Sequence, residues 1–452
     1  MDKYDLTEGV VWKKLLSFFF PILFGMLFQQ LYNTVDAVIV GKCLGSDALA
    51  AVGGSPAVIT NLIIGFFNGL ASGAGVIISQ LFGAKDYDRL SKTAHAGIAF
   101  CLVIGAVLTV VCRWLTPWML SAVKTPADVM ADSVAYLKIY FVGTMPLLIY
   151  NIGSGIMRAV GNSRKPLYFL GVCCALNIVL DLTFIRVLGM GVEGAAWATV
   201  ISVALCAVMM MVSLRVSRGP ERFFLRRMNL NTRTLGRVLY MGIPAGVQSA
   251  MYSISNLLIQ AAVNGLGTDV VSAWSAIGKI DGIYWVTSNA FGIAICAFVG
   301  QCFGAGMFDR MKSGVRTAMN MELGIAAALA VVLCLLSKPG LRLIVDNPAV
   351  IDLGAEMIMY FAPFYVVWTV IEILSATLRG AGDAVRPTLI VVVGVCVLRV
   401  IWVFAVVPHW NTVRGISMAY PVSWVTAAAA MIVYYFKSGW LERCQSRPVD
   451  TE

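Results

Sequence analysis

Gln80-Leu81-Phe82-Gly83-Ala84 returns as Gln301-Cys302-Phe303-Gly304-Ala305, and the shift of 221 residues between them recurs along the chain. Asp88-Arg89 becomes Asp309-Arg310, and Arg158-Ala159-Val160-Gly161-Asn162 becomes Arg379-Gly380-Ala381-Gly382-Asp383. Pro166 becomes Pro387, and Gly194 and Ala198 become Gly415 and Ala419. One offset kept at five places is hard to obtain by chance, so the chain reads as two copies of one unit. Apolar runs long enough to cross a hydrocarbon core of roughly 30 Å fall at 15–40, 51–80, 92–115, 132–157, 166–188 and 192–214. A second set follows at 237–264, 272–300, 315–337, 353–378, 387–407 and 415–436. Six spans is an even number, so both copies enter the membrane in the same orientation, related by a pseudo-twofold axis along its normal. The expected fold is an all-α polytopic membrane protein of 12 transmembrane helices in two pseudo-twofold-related six-helix bundles. Residues 1–214 and 237–436 are the expected lobes, 215–236 a basic cytoplasmic linker, and 437–452 a cytoplasmic tail.

Composition excludes a water-soluble fold. Hydrophobic residues make up 59% of 452 positions, charged residues 13%, and the mean hydropathy is +0.82, against about 25% charged in soluble domains. The first apolar run is too long, and too polar in its second half, for a cleaved signal peptide. The net charge of +10 follows the loops. Twenty-four Lys and Arg lie at the N-terminus, in the loops near 81–95, 158–166, 215–238, 302–316 and 379–387, and in the tail, against seven in the alternate loops. The positive-inside rule therefore places both termini in the cytoplasm of a multi-pass protein of the cell membrane. Nucleic acid is not an expected partner; membrane lipids are. Eleven cysteines form no Cys-x-x-Cys, and the two histidines, His95 and His409, are expected in loops or span edges on opposite sides, so neither a disulfide framework nor a His-based metal site is expected.

Polar residues inside these runs carry the functional reading. Gln29-Gln30-Leu31-Tyr32-Asn33-Thr34-Val35-Asp36 lies within the first span. Helical spacing puts Gln29 with Asn33, and Tyr32 with Asp36, at i,i+4. A carboxylate facing lipid costs several kcal/mol, so this face must look at protein or water. Asn177 and Asp181 are i,i+4 on the fifth span, Thr199 is on the sixth and Asn151 on the fourth. Should Asp36 and Asp181 approach, the pair can take up a proton near neutral pH or hold Na⁺ through the oxygens of Asp36, Asn177, Asp181 and Thr199. The plainer alternative is that each Asp ends a helix or pairs with Lys138. In the second half Lys279 and Asp281 occupy the eighth span, Glu372 the tenth and Arg399 the eleventh. Their opposite signs suggest mutual pairing. Met145, Tyr150, Tyr252, Tyr284, Trp285 and Trp368 are candidates for an adaptable chamber wall.

Pro21, Gly25, Gln29 or Gln30, Asn33 and Asp36 followed by Gly41, with Gln80-x-Phe-Gly-Ala, Arg379-Gly-x-Gly-Asp and the duplication, resemble the multidrug and toxic compound extrusion (MATE) family over about residues 10–440. The resemblance implies a cation-coupled pump, driven by H⁺ or Na⁺, that exports small organic, often cationic, compounds by alternating access. It implies the same coupling set: Tyr32, Asp36, Asn177, Asp181 and Thr199 match the family's N-terminal-lobe cation site in spacing. Some relatives place an acid on the seventh span with another on the tenth. Here the seventh has none, which leaves Glu372 as a secondary candidate. A flippase of lipid-linked saccharides from the same superfamily is the alternative; it would need a basic cavity, and the membrane-depth cations are Lys138, Lys279 and Arg399. No cofactor is expected beyond the coupling ion. No nucleotide is expected, since no Gly-x-x-x-x-Gly-Lys-[Ser/Thr] loop exists. The chain is expected to act as a monomer and not as an enzyme.

Overall fold

The computed structural model describes residues 5–228 and 231–445, and no strand occurs among them. The first copy forms α1 (Val11–Leu44), α2 (Ser46–Gly53), α3 (Ser55–Gly83), α4 (Tyr87–Ala122), α5 (Ala127–Tyr140), α6 (Thr144–Ala159), α7 (Arg164–Asp181) and α8 (Gly191–Val216). Next come α9 (Thr232–Asn264), α10 (Thr268–Ile280), α11 (Gly282–Gly304), α12 (Phe308–Leu335), α13 (Ser337–Arg342) and α14 (Pro348–Phe361). The rest is α15 (Tyr365–Gly380), α16 (Val385–Val391), α17 (Leu398–Ala405), α18 (Val413–Ser417), α19 (Ala419–Lys437) and α20 (Trp440–Gln445). Short 3₁₀ turns join α5 to α6 at Phe141–Gly143 and α14 to α15 at Ala362–Phe364, again 221 residues apart. Wider π turns follow α7 at Leu182–Val187 and α16 at Val392–Val397.

Eleven of the described helices, some of them pairs run together, are long and apolar enough to cross a membrane. The twelfth expected span, 237–264, is the 33-residue helix α9; its Gln248, Ser253, Ser255, Asn256 and Gln260 dilute its hydropathy. The run 272–300 is not one helix. α10 stops at Ile280, and the carbonyl of Asp281 accepts from Tyr284 N (2.9 Å) as the chain turns into α11. Large apolar side chains such as Trp114, Leu335, Leu343 and Phe436 are exposed, as a lipid-facing surface requires.

The duplication holds down to single hydrogen bonds. Ala84 N, Lys85 N and Asp86 N donate to Gln80 O, Phe82 O and Leu81 O; Ala305 N, Gly306 N and Met307 N donate to Gln301 O, Phe303 O and Cys302 O. Both loops turn through a left-handed residue, Lys85 at φ 59° and Gly306 at φ 71°. Gly161 (φ 87°) and Gly382 (φ 101°) likewise end α6 and α15 in the Arg-x-x-Gly elements.

The chain divides into two compact units, one built on Leu16–Ser249 and the other on the residues from Ala250 onward together with Thr7–Leu15. Arg310 ties Thr7–Leu15 to the second unit by donating to Gly9 O (2.9 Å). In the first unit one apolar core gathers Ile78, Ile98, Ile152, Met157 and Met210 from α3, α4, α6 and α8, and another gathers Val40, Leu120, Phe141 and Ile185. Between helices in lipid such packing works by dispersion and close approach. The closest approach uses glycine. A Cβ on Gly69 would lie 2.5 Å from Gly246 N, one on Gly73 2.5 Å from Gly242 N, and one on Gly242 2.3 Å from Leu70 O. The first half of α9 therefore lies backbone to backbone on α3.

Candidate cation and substrate site

Asp36 sits on α1 eight residues before its end, and Asp181 is the last residue of α7. The helix widens to a π turn immediately after Asp181, with Leu188 N bonding Thr183 O at i,i+5. Such widenings re-aim a side chain and are common at functional positions. Here the result is burial: Asp181 is 0% and Asp36 8% exposed, with Asn177 and Thr199 also buried. The carboxyl groups of Asp36 and Asp181 are close enough to act on each other's charge, so one proton can be shared between them.

Nothing in the surrounding protein completes this group. Asp36 Oδ1, both oxygens of Asp181, and both amide atoms of Asn177 are buried with no hydrogen-bond partner. Among the described residues neither Asp has an ion pair, and Lys138 on α5 bonds to neither. The alternative reading of a structural pair with Lys138 is therefore overturned. A buried carboxylate without a counter-charge or donor costs several kcal/mol. A proton, a cation or a water can each supply what these atoms lack. The set's donors are all hard oxygens, which suits H⁺ or Na⁺ and not a soft metal.

A cavity of about 450 Å³ opens beside Asp36. Gln29, Tyr32, Asn33, Asp36 and Thr199 line it, with Asn61 and Asn68 of α3 and Tyr136 and Tyr140 of α5. Asn177 and Asp181 stand behind this wall, so Asp36 is the group that connects the cavity to the buried acid. Asn151 does not line the cavity; its Nδ2 donates to Asn68 Oδ1 (2.7 Å) and holds that wall in place. Tyr136 and Tyr140 stack at 5.8 Å. Sequence reading missed both tyrosines and both asparagines, although the i,i+4 and i,i+7 spacings are visible. Of the proposed chamber wall, Met145 and Tyr150 lie elsewhere; the Tyr150 hydroxyl donates to Pro166 O.

A family model described as MatE matches residues 21–183 and 244–404. The chain belongs to the MatE family. It is a membrane transporter, not an enzyme. This MatE chain is 28% identical over 449 residues to the "Probable multidrug resistance protein YoeA" of Bacillus subtilis, covering 97% of this chain and 96% of that protein. To the "Multidrug resistance protein PmpM" of Pseudomonas aeruginosa it is 25% identical over 389 residues, 84% of this chain and 80% of that one. Among solved structures, a MOP superfamily transporter from Pyrococcus furiosus, described by the "reverse polarity" of its binding pocket, superposes with a TM-score of 0.90 at 21% identity, covering 98% of this chain and 99% of that chain. An outward-facing MATE family transporter gives 0.88 at 21% identity over 99% and 98%. These likenesses establish the twelve-helix fold.

The second unit of this MatE chain handles its charges differently from the sequence expectation. Lys279, Asp281, Glu372 and Arg399 do not pair with one another. Lys279 is exposed. Asp281 Oδ2 accepts from Trp285 Nε1 (3.0 Å) and the Tyr365 hydroxyl (3.1 Å). Arg399 lies 4.0 Å from the Tyr420 ring, with its Nε on Ser423 Oγ (3.1 Å). Glu372 pairs with Arg379 of its own helix at 3.4 Å. Tyr284, Trp285, Tyr365, Trp368 and Trp424 form one aromatic cluster, with Tyr284 and Tyr365 stacked at 4.0 Å. Buried aromatic faces thus satisfy charges that the sequence suggested would satisfy each other.

His95 falls at a span edge, near the start of α4, and is 2% exposed. Its Nε2 accepts from Phe224 N (2.9 Å) while its ring stacks on Phe223 at 5.0 Å, which ties the segment after α8 to the first unit.

Proposed function

We propose that this chain is a cation-coupled antiporter of the cell membrane, with both termini cytoplasmic, exporting small organic cations in exchange for H⁺ or Na⁺. Support for the coupling site comes from a single observation: Asp36, Asp181 and Asn177 converge, buried, with their polar atoms lacking protein partners. Support for a multidrug cargo comes from the printed names of the relatives and from a cavity walled by tyrosine, asparagine and one carboxylate. Tyrosine faces and a carboxylate suit a bulky cation.

In this reading the ion enters from outside, reaches Asp36 through the cavity and is shared with Asp181. Neutralising the pair removes the charge that held the organic cation and lets the helices of residues 1–214 repack, so cargo leaves outward. The ion is then released to the cytoplasm as the lobes, 1–214 and 237–436, return. Coupling requires that ion and cargo differ in affinity between the two states. The monomer is the working unit in this scheme, and membrane lipid its surroundings.

Dye efflux from proteoliposomes under imposed pH and sodium gradients tests the reading. Asp36→Asn and Asp181→Asn are each expected to remove gradient-driven efflux while the protein still folds. Unchanged efflux in both variants overturns the site. The gradient that drives the wild type identifies the ion.

A further inference from the structure

Glu322 lies near the middle of α12 and is 1% exposed, the one acid of the 315–337 run and the start of its apolar half. Its Oε1 accepts from Ser288 Oγ of α11 (2.7 Å). Its Oε2 is buried without a partner. No Lys or Arg among the described residues makes an ion pair with it. At the equivalent place in the first copy, 221 residues earlier, stands Cys101, an ordinary member of the apolar core.

The guanidinium of α15 is already engaged. Arg379 donates to Glu372 Oε1, whose carboxylate lies so close to α11 that a Cβ on Gly292 would be 2.1 Å from it. Of the charged and titratable groups on α11, α13, α14 and α15, those that act on Glu322 are Glu372 and Tyr284. The Tyr284 hydroxyl donates away, to Tyr365 O (2.8 Å). The repeat shows where else the guanidinium can go. In the first copy Arg158 Nη1 donates to Ser154 Oγ at 2.7 Å. The equivalent Ser375 is buried with its hydroxyl unpartnered, because Arg379 has turned to Glu372.

One buried carboxyl, one half-buried carboxyl and one guanidinium sum to neutral only if one proton is present. We propose that Glu322, with Ser288 and beside the Glu372–Arg379 pair, is a second proton-binding site, located in the second unit and separate from Asp36 and Asp181. Its proton resides on Oε2 while Arg379 is bound by Glu372. It leaves when the positive charge of Arg379 is no longer matched by Glu372. A single buried carboxylate with one hydroxyl donor is otherwise several kcal/mol too costly to keep. No part of this depends on the cargo or on the first-unit acids carrying the coupling ion.

The test uses infrared difference spectroscopy on the full-length purified protein in lipid, in an Asp36→Asn/Asp181→Asn background so that the first-unit acids are silent. At neutral pH the parent is expected to show a protonated-carboxyl carbonyl band that shifts in D₂O. Glu322→Gln, an isostere of the neutral acid that keeps the Ser288 contact, should remove the band. Glu372→Gln should remove it too, by taking away the neighbouring negative charge and leaving that of Arg379 unmatched, so that Glu322 can ionise. A parent without the band, or a band that survives Glu322→Gln, overturns the proposal. So does a band that survives Glu372→Gln in folded protein, with folding checked by thermal unfolding. Because the readout is not efflux, a failed coupling site in the first unit leaves this result interpretable.

Discussion

The two copies of the repeat share their turns hydrogen bond for hydrogen bond and differ almost completely in their buried polar chemistry. In the first unit Asp36, Asn177 and Asp181 are gathered without partners beside a cavity. In the second, Asp281, Glu372 and Arg399 each have a protein partner: an indole and a phenol, an arginine, and an aromatic face. Asn151 and its equivalent Glu372 show the contrast at one position. Asn151 bonds Asn68 with no net charge involved, whereas Glu372 captures an arginine. Duplication supplied the frame twice; divergence gathered an unpartnered acid pair beside a cavity in the first copy and left Glu322 with one unpartnered oxygen in the second. A partnered charge is structural; an unpartnered buried one must titrate or bind.

The comparison can be broken most directly at Asp181. Asp181→Asn should lower gradient-driven dye efflux to the level of protein-free liposomes. The equivalent removal of a partnered acid, Asp281→Asn, should instead lower the unfolding temperature, because Trp285 and Tyr365 lose a charged acceptor worth about 1.5–3 kcal/mol each. If the two variants exchange these phenotypes, the contrast between the units is wrong. A second, smaller effect is expected at the α3–α9 seam. Gly69→Val meets the backbone of α9 and should destabilise by about 1–3 kcal/mol or more, read as detergent thermal stability. Asn151→Ala should cost about 1 kcal/mol and raise the KM for dye, since it frees Asn68 without touching the acids. Tyr32→Phe should weaken efflux less than either Asp variant, one hydroxyl at the cavity wall being lost. Lys138→Met should change coupling least of all, because it bonds to neither acid. A large loss in Lys138→Met would restore the structural ion pair.

Much of the site was legible because a charge in an apolar run has few innocent explanations. That rule picked out Asp36, Asp181 and Glu372, and the i,i+4 spacing added Tyr32 and Asn177. Applied with equal strictness it also reaches Glu322, a lone acid in 315–337. Tyr136, Tyr140 and Asn68 were harder to see, since phenols and amides are tolerated on many helix faces and only contact across helices distinguishes them. The expected pairing of Lys279, Asp281, Glu372 and Arg399 failed for a related reason. Opposite signs in one half of a chain say nothing about distance, and aromatic rings can serve as partners without leaving any mark of charge.

Hydropathy, an even span count and the 221-residue offset determined a duplicated twelve-helix membrane protein from sequence alone, because lipid allows a backbone few ways to satisfy itself. Which acids remain without partners was decided only by tertiary structure. Burial and bonding depend on groups brought together from distant helices: α1 with α7, α11 with α12, and Arg379 turning to Glu372 where Arg158 turns to Ser154.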